Sequence, residues 1–246
     1  GESDVGGTWG ANLKKAGLDG ILITGKSEKP VYLWIHNEKV ELRDASHLWG
    51  KDTYETDSIL KSETHERAVV SSIGQAGENQ VLISSIMTDG RDARAAGRCG
   101  MGAVMGSKKL KAIVVLGNQI VPVHRPEEVG RLQKELAPLI YKNAETFRKY
   151  GTSGSLSVFE AMGTLPLQNW KFVGRWEESA EKINGFTMAE TVLTGRYFCD
   201  ACILGCGRKV KIEKGPYRGV EGAGPEYETL ALLGSNCLID HLEALC

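Results

Sequence analysis

The sequence predicts an α+β protein whose N-terminal part mixes strands and helices and whose C-terminal part is mainly helical. Up to about residue 117, short segments rich in β-branched and aromatic residues alternate with helical patterns. From residue 123 to residue 151 the pattern is almost continuously helical. This change of character places a boundary near residue 120, which gives predicted domains of 1–120 and 121–246.

The first predicted domain packs strands and helices closely along the chain. Residues 7–17 have a helical pattern that Gly17 terminates, and residues 53–65 predict a second helix. Residues 31–37 and 39–45 predict a hairpin, because a short turn separates two β-rich runs. The remaining predictions are strands at 20–25, 68–74, 79–88 and 112–117, a polar loop at 89–102 and a helix at 103–111.

The second predicted domain begins with the helical stretch 123–151, where Pro126 suits a first helical turn. Short helices follow within residues 151–198, and the last apolar pattern, 226–245, is also helical. The chain has no initiator Met and ends just after "IDHLEAL", which reads as the start of a helix. We therefore expect an internal piece of a longer protein.

Charge and hydropathy exclude several classes of protein. The net charge of −1 shows no basic excess for nucleic acid or for an anionic membrane. No apolar run approaches the roughly 20 residues that a membrane helix needs. The first residues, "GESDVGGTWG", lack the basic and apolar regions of a signal peptide. These patterns predict a cytoplasmic protein.

Glycine is enriched, with 30 residues in the chain, and the densest cluster is "GRCGMGAVMG" at 97–106. Its spacing departs from the dinucleotide fingerprint, and it lacks the order of a P-loop. A third interpretation is a helix N-terminus whose backbone N–H groups face an anion. Arg91, Arg94 and Arg98 lie just upstream and are suited to bind phosphate. The alternative is a solvated basic loop beside an ordinary helix.

Three of the six cysteines, Cys199, Cys202 and Cys206, lie within eight positions. This spacing lets a single loop supply adjacent ligands to one metal centre. Zinc needs four ligands, and the following sequence offers only the irregular pair Cys237 and His241. An iron–sulfur cubane also needs four thiolates, the fourth often remote. Zinc, iron–sulfur and chance clustering therefore all remain open from the spacing.

Two cations, Arg208 and Lys209, follow the cysteine trio. A cubane bound by four thiolates is anionic, and nearby positive charge and hydrogen bonds tune its potential. The same two residues also suit an exposed turn, so they give only weak support to the iron–sulfur interpretation.

Six segments together resemble the aldehyde:ferredoxin oxidoreductase family of tungsten-pyranopterin enzymes. They occur in the family's order over nearly the whole chain, and the resemblance is weakest over 120–195. The segments are "KKAGLDGILITGKSEKPVYLWI", "VELRDASHLWG", "IGQAGEN", "RAAGRCGMGAVMGSKKLKAIVV", "CDACILGCGR" and "GPEYETLALLGSN".

The resemblance implies a fold, an activity and partners. The family has an N-terminal α+β domain of two sheets that cradles a bis-pterin cofactor, followed by helical domains. Its members oxidise small aldehydes to carboxylic acids with water as the oxygen source. Two electrons pass from tungsten, or from molybdenum in its place, through one [4Fe–4S] cluster to ferredoxin or a similar acceptor. The resemblance also allows a homodimer.

The resemblance further implies which residues contact the pterin. The segment "DVGG" corresponds to a family segment that reads N-S-G-G, so the aspartate is a departure from the pattern. A backbone carbonyl used there, for a magnesium ion joining the pterin phosphates, would tolerate this change. Cys99 replaces a usual glycine. The implied cofactor-binding residues are Asp4, Gly6, Arg94, Ala95 and Gly97.

The resemblance also assigns metal ligands and one catalytic carboxylate. Cys199, Cys202 and Cys206 match three of the four cluster ligands, and the fourth is expected outside residues 1–246. Glu228, the second glutamate of "GPEYE", matches a carboxylate near tungsten. A buried glutamate there would act as a general base on water or stabilise the aldehyde. The alternative role is an ordinary carboxylate at a helix N-terminus.

Two other functions stay open. Some family relatives reduce aromatic-ring thioesters or act within larger electron-transfer complexes, and substrate choice depends on residues outside this chain. Outside the family, the cysteines would define a non-enzymatic binding module stapled by zinc. Iron and sulfide in the protein favour membership of the family, whereas one zinc ion per chain favours the zinc-stapled binding module.

Overall fold

The computed structural model describes all 246 residues, and the chain divides into two compact units, Gly1–His124 and Arg125–Cys246. The α+β class is confirmed, since helices accompany a six-stranded sheet and a three-stranded sheet. The first unit consists of α1 Trp9–Lys15, β1 Val31–His36, β2 Lys39–Asp44, α2 Thr53–Glu63, β3 Val69–Ser72, α3 Gln75–Glu78, β4 Ile86–Thr88, β5 Arg94–Ala96, α4 Met101–Ser107 and β6 Leu110–Leu116.

The sheet of the first unit has the order β2-β1-β6-β3-β4-β5. Strands β1 and β6 are parallel, and every other neighbouring pair is antiparallel. The predicted hairpin forms with β1 and β2 in register from Val31↔Asp44 to His36↔Lys39. The loop that carries the predicted phosphate-binding residues therefore lies at the β5 edge of the sheet.

Strand β6 forms the centre of the first unit, and all seven of its residues are buried. From Ala112 to Leu116 its side chains alternate between two apolar clusters, because successive residues of a strand point to opposite faces, and a register shift against β1 precedes Ala112. Ala112, Val114 and Leu116 pack with Trp34 and Leu60 in one cluster. The opposite cluster contains Leu110, Ile113 and Val115 together with Leu13, Ile35, Ile73 and Met105.

One charged residue, Lys111, lies within this buried strand. Its side chain is fully buried, and Nζ forms an ion pair with Oε1 of Glu78, whose side chain is 4% exposed. Nζ also donates to the Lys51 carbonyl at 2.8 Å, and the second Glu78 oxygen accepts from the Gly50 N–H at 2.8 Å. Because a buried charge is costly without a partner, this pair fixes α3 and the 50–51 turn against β6.

Two predicted strands of the first unit are wrong or shortened. Residues 20–25 form no strand, although Ile21 and Ile23 pack against the core while Leu22 points to solvent. The apolar alternation is therefore real, but no neighbouring strand pairs with it. Of the predicted strand 79–88 only Ile86–Thr88 forms, because Val81 and Ser84 close a tight turn that leaves Leu82 and Ile83 exposed.

The second unit is helical with a three-stranded sheet of order β7-β8-β9, which the sequence did not predict. Its core is one apolar cluster that includes Leu156, Ile183, Met188, Val210 and Leu230. A π-helical turn, Leu230–Gly234, interrupts the predicted final helix. The elements are α5 Pro126–Asn143, α6 Glu145–Tyr150, α7 Leu156–Ala161, α8 Glu177–Ile183, α9 Gly185–Thr191, β7 Leu193–Tyr197, β8 Gly207–Lys211, β9 Glu221–Ala223, α10 Tyr227–Thr229 and α11 Leu242–Leu245.

Helix α5 differs from the other long helix because none of its residues is buried. It nevertheless carries apolar side chains at helical spacing, and all of them are exposed: Val129, Leu132, Leu136, Leu139 and Ile140. None of the helices in the chain has the length and apolarity required to cross a bilayer.

Candidate functional site

The predicted phosphate-binding residues lie on the turn and strand that follow β4. Thr88 pairs with Arg94 and Met87 with Ala95, so the chain reverses over residues 89–93. Asp89 and Ala93 both have positive φ angles, 63° and 46°. This tight reversal places Arg94 and Ala95 on the edge strand β5 and leaves Ala95 and Gly97 exposed.

The N-terminal segment that contains Asp4 and Gly6 lies against this same loop. Asp89 Oδ1 accepts hydrogen bonds from the Thr8 N–H at 2.9 Å and from the Thr8 hydroxyl. The Arg98 N–H donates to Ser3 Oγ at 3.0 Å. The structure therefore brings together the two segments for which the resemblance implied pterin contacts.

Gly7 makes this approach feasible. Its φ of 91° is in the region that favours glycine, and a Cβ there would overlap the Asp89 carboxylate. Asp89 is a residue that the sequence reasoning missed. The Asp89-Gly90 dipeptide did signal a turn, but no sequence signal pointed to its contact with Thr8.

The loop suits an anionic group such as a pterin phosphate. Gly97 is exposed, and a Cβ built there would touch only the Ala95 side chain, at 4.0 Å. The backbone is therefore accessible at this point, and Arg91, Arg94 and Arg98 supply cations within the same segment. Exposed Asp4 and Gly6 lie in the adjoining segment, where backbone carbonyls can bind a magnesium ion.

The helix N-terminus that the glycine cluster predicts is partly engaged by backbone contacts. At the start of α4 the Gly102 N–H already donates to the Ser84 carbonyl at 3.0 Å. A Cβ on Gly100 would overlap the Leu82 carbonyl, and one on Gly106 would overlap the Gly77 carbonyl. These glycines therefore allow backbones to pack closely, and the Gly102 N–H is not available to an anion.

The three clustered cysteines lie on the loop that joins β7 to β8. The pair Tyr197↔Gly207 closes the loop at its base, so Cys206 directly precedes β8. The Cys202 N–H donates to the Cys199 carbonyl at 3.1 Å, so residues 199–202 form a turn that carries the first two thiols. All three cysteines are partly buried, and none of the six forms a disulfide.

Two aromatic rings shape this cysteine loop. The ring of Phe198 covers Gly205, whose φ is 59°, and the ring of Tyr197 covers Gly207. A Cβ at either glycine would overlap the ring above it, so both positions require glycine. The sequence therefore holds the loop in a defined conformation between two strands.

The arrangement of the thiols bears on which metal they suit. Zinc gathers its thiolates about 2.3 Å from one point. No group of three or more His, Cys, Asp or Glu side chains in the chain is arranged to hold a single ion in this way. A [4Fe–4S] cluster binds each thiolate through a different iron, so its ligands need not converge on one point. Three thiols on one loop can contribute to either kind of site, and each kind needs a fourth ligand.

The candidate catalytic residue, Glu228, lies in the first turn of α10 and is exposed, contrary to the burial that we expected. Burial raises the pKa of the neighbouring Tyr227 hydroxyl, and the charge of Glu228 adds to this shift. Helix α10 has only three residues before the π-helical turn, so a helix dipole explains little of the position of Glu228. Short π-helical insertions are frequent at functional sites.

Glu226 is the more buried of the two glutamates in this segment. Its Oε2 lies 2.9 Å from Nη2 of Arg208, whose side chain is 1% exposed. Arg208 follows the cysteine trio by two residues, so an ion pair with a buried cation and a partly exposed carboxylate joins the cysteine loop to the segment that carries Glu228. The sequence marked Arg208 as a cation but gave no sign of its burial.

Models of known families match most of the chain. The model described as "Aldehyde ferredoxin oxidoreductase, N-terminal domain" matches residues 1–117. The model described as "Aldehyde ferredoxin oxidoreductase, domains 2 & 3" matches residues 131–246.

Individual proteins are also similar over nearly the whole chain. A tungsten-containing aldehyde ferredoxin oxidoreductase of Thermococcus kodakarensis is 42% identical over 99% of this chain and 40% of its own length. An aliphatic sulfonate oxidoreductase, WOR-like subunit, of Pyrococcus furiosus is 36% identical over 92% of this chain and 38% of its own length. The chain therefore spans about 40% of the length of the relative from Thermococcus kodakarensis.

A solved structure shares the fold. The active-site complex BamBC of benzoyl coenzyme A reductase, with 1,5-dienoyl-CoA, matches with a TM-score of 0.80 and 31% identity. The match covers 99% of this chain and 38% of that chain.

Proposed function

Because the chain belongs to the aldehyde ferredoxin oxidoreductase family, we propose that the whole protein oxidises aldehydes to carboxylic acids with water as the oxygen source. Each turnover consumes one aldehyde and one water and yields one carboxylic acid, two protons and two electrons. The electrons leave through an iron–sulfur cluster to ferredoxin or a similar acceptor. This proposal reaches beyond the chain, which spans about 40% of the length of its relatives.

The first unit is proposed to bind a tungsten, or molybdenum, bis-pyranopterin. Arg94 and the accessible backbone at Ala95 and Gly97 hold the pterin phosphates through charge-assisted hydrogen bonds. Asp4 and Gly6 would contribute backbone carbonyls from the adjoining segment to a magnesium ion bound with the pterin phosphates. The contacts of Asp89 with Thr8 support this proposal, because they fix the N-terminal segment beside the loop.

The second unit is proposed to supply three ligands, Cys199, Cys202 and Cys206, to a [4Fe–4S] cluster. When bound, the metal–pterin pair supplies the two-electron oxidation and the cluster supplies one-electron transfer. Accordingly, residues 1–120 form a pterin-binding domain and residues 121–246 begin the region that carries the cluster.

Glu228 is proposed as the residue that moves a proton. One carboxylate oxygen accepts a proton from the attacking water and later releases it to solvent, to which Glu228 is exposed in this chain. Replacing Glu228 by Gln removes this base with little change in shape. We expect kcat to fall by about 10²- to 10⁴-fold, the usual contribution of general base catalysis. The exposed Glu213→Gln variant is the matched control.

The observation that carries the proposal is the cysteine loop, which presents three thiols between two paired strands beside a buried arginine. The test is metal analysis of the full-length protein purified without oxygen. We expect about four iron atoms per chain, the content of one [4Fe–4S] cluster, together with tungsten or molybdenum. Cys202→Ser should lose iron, whereas Cys237→Ser, an exposed cysteine outside the trio, should keep it. A colourless protein without iron and without either metal would refute the proposal.

A second candidate function is the reduction of an aromatic-ring thioester. It is supported by the TM-score of 0.80 with the benzoyl coenzyme A reductase complex. The higher identity with aldehyde ferredoxin oxidoreductases, 42% against 31%, favours aldehyde oxidation. Assays with aldehydes and with an aromatic coenzyme A thioester distinguish the two. We also propose that the full-length protein forms a homodimer, and a dimeric molecular mass after purification would support this.

A further inference from the structure

Arg208 is a fully buried cation beside the cysteine loop. Its side chain is 1% exposed, and it lies in β8, two residues after Cys206. The fold makes room for it, because a Cβ on Gly151 would overlap the guanidinium group. Gly151 has a φ of 59°, a region that favours glycine. The guanidinium group therefore occupies the space beside Gly151, and any larger residue at position 151 would displace it.

The contacts of Arg208 hold two segments at once. Nη1 donates to the Cys206 carbonyl, and Nη2 lies 2.9 Å from Glu226 Oε2. That carboxylate oxygen also accepts a hydrogen bond from the Thr152 hydroxyl at 2.5 Å. The Thr152 oxygen in turn accepts from the Tyr227 N–H at 2.9 Å. The orientation of the guanidinium group is thus fixed from both sides.

Arg208 nevertheless keeps unused hydrogen-bonding capacity. Its Nε and Nη2 atoms are buried and make no hydrogen bond, although Nη2 lies 2.9 Å from Glu226 Oε2 in the ion pair. Buried donors in proteins are almost always satisfied. A buried guanidinium also favours an anionic acceptor. The cysteine loop, which ends at Cys206 two residues before Arg208, is where such an acceptor would be bound.

We propose that Arg208 is a positioning residue for the anionic iron–sulfur cluster. It fixes the Cys206 backbone, donates hydrogen bonds to cluster sulfur and stabilises the reduced cluster, which carries one more negative charge. Glu226 orients Arg208 and partly offsets its charge. This inference rests on the proposed function, because it requires that the cysteine loop binds a cluster.

The test compares three variants of the full-length protein purified without oxygen. Arg208→Met removes the cation and its donors, and Glu226→Gln removes the opposing charge while keeping the shape. Lys211→Gln is the control, because Lys211 is an exposed cation on the same strand. The measurements are iron and sulfide content, the electron paramagnetic resonance spectrum of the reduced cluster and its midpoint potential.

We expect opposite shifts of the midpoint potential. In Arg208→Met, the ratio of reduced to oxidised cluster at a fixed potential should fall at least tenfold, which is a decrease of 59 mV for a one-electron couple. Glu226→Gln should raise the potential, and Lys211→Gln should leave it unchanged. A purely structural role would lower the cluster content without shifts of opposite sign.

Each result has a defined meaning. If Arg208→Met does not fold, Glu226→Gln alone decides, because a raised potential supports the proposal and an unchanged one overturns it. Iron-containing variants whose potentials and spectra match the control overturn the role of Arg208 and leave the proposed function intact. A wild-type protein without iron and sulfide refutes the proposed function itself.

Discussion

Replacing Lys111 by Met should destabilise the first unit strongly. The Lys111 side chain is fully buried and its partner Glu78 is 4% exposed, so the variant leaves a buried carboxylate without its cation. Removing one partner of a buried ion pair costs about 3–5 kcal/mol. The lost hydrogen bond to the Lys51 carbonyl is part of that cost. The Gly50 N–H remains as a donor to the second Glu78 oxygen.

The assay is urea unfolding combined with hydrogen exchange of the β6 amides. A loss of about 3 kcal/mol should speed exchange of the best-protected amides by roughly a hundredfold. Lys14→Met is the matched control in the same unit. Lys14 pairs with Asp19 on the surface, where ion pairs contribute about 1 kcal/mol or less.

The double variant Lys111→Met with Glu78→Gln separates the two sources of the loss. The amide keeps an acceptor for Gly50 and removes the unpaired charge, so we expect part of the lost stability to return. If Lys111→Met is no less stable than Lys14→Met, the buried pair does not fix α3 and its turn. That result would refute the reasoning.

Three further predictions concern packing, the phosphate loop and thiol reactivity. Gly106→Ala should lower the free energy of unfolding by about 1–3 kcal/mol in urea, because the new methyl group overlaps a backbone carbonyl. Gly130→Ala, which meets open space, should not lower it. Asp89→Ala should release the N-terminal segment and speed its limited proteolysis, with unchanged proteolysis as the contrary result. Burial and the nearby charge of Glu243 raise the pKa of Cys246 to about 11. At pH 8, iodoacetamide should therefore modify exposed Cys237 well before Cys246, by mass spectrometry, and the Cys246 rate should rise with pH towards 11.

The sequence predicted correctly those elements whose conformation is determined by residues close to each other in the chain. The β1–β2 hairpin and α2 follow from β-rich runs around a turn and from helical spacing, and both form as expected. The three strands of the second unit could not be found in the same way. β7 and β8 carry Gly195, Gly207 and Lys209 in place of β-branched residues, and they are stabilised by pairing across the sheet.

The candidate site shows the same division. The cysteine spacing is local, so the sequence reveals it, and the loop that carries it is closed by the pair Tyr197↔Gly207. The burial of Arg208 depends on Gly151 and Glu226, which are distant in sequence, and no local pattern reports such contacts. The expected burial of Glu228 failed for a related reason, because its exposure depends on packing that its neighbours in sequence do not specify.

The exposed apolar face of α5 affects how the second unit behaves in solution. Five large aliphatic side chains along one helix are exposed to water, and such an apolar surface promotes association with other apolar surfaces. A preparation of residues 125–246 alone should therefore self-associate as its concentration rises, and its sedimentation should depend on dilution. Substituting Leu132 and Leu136 by Glu should keep such a preparation dispersed.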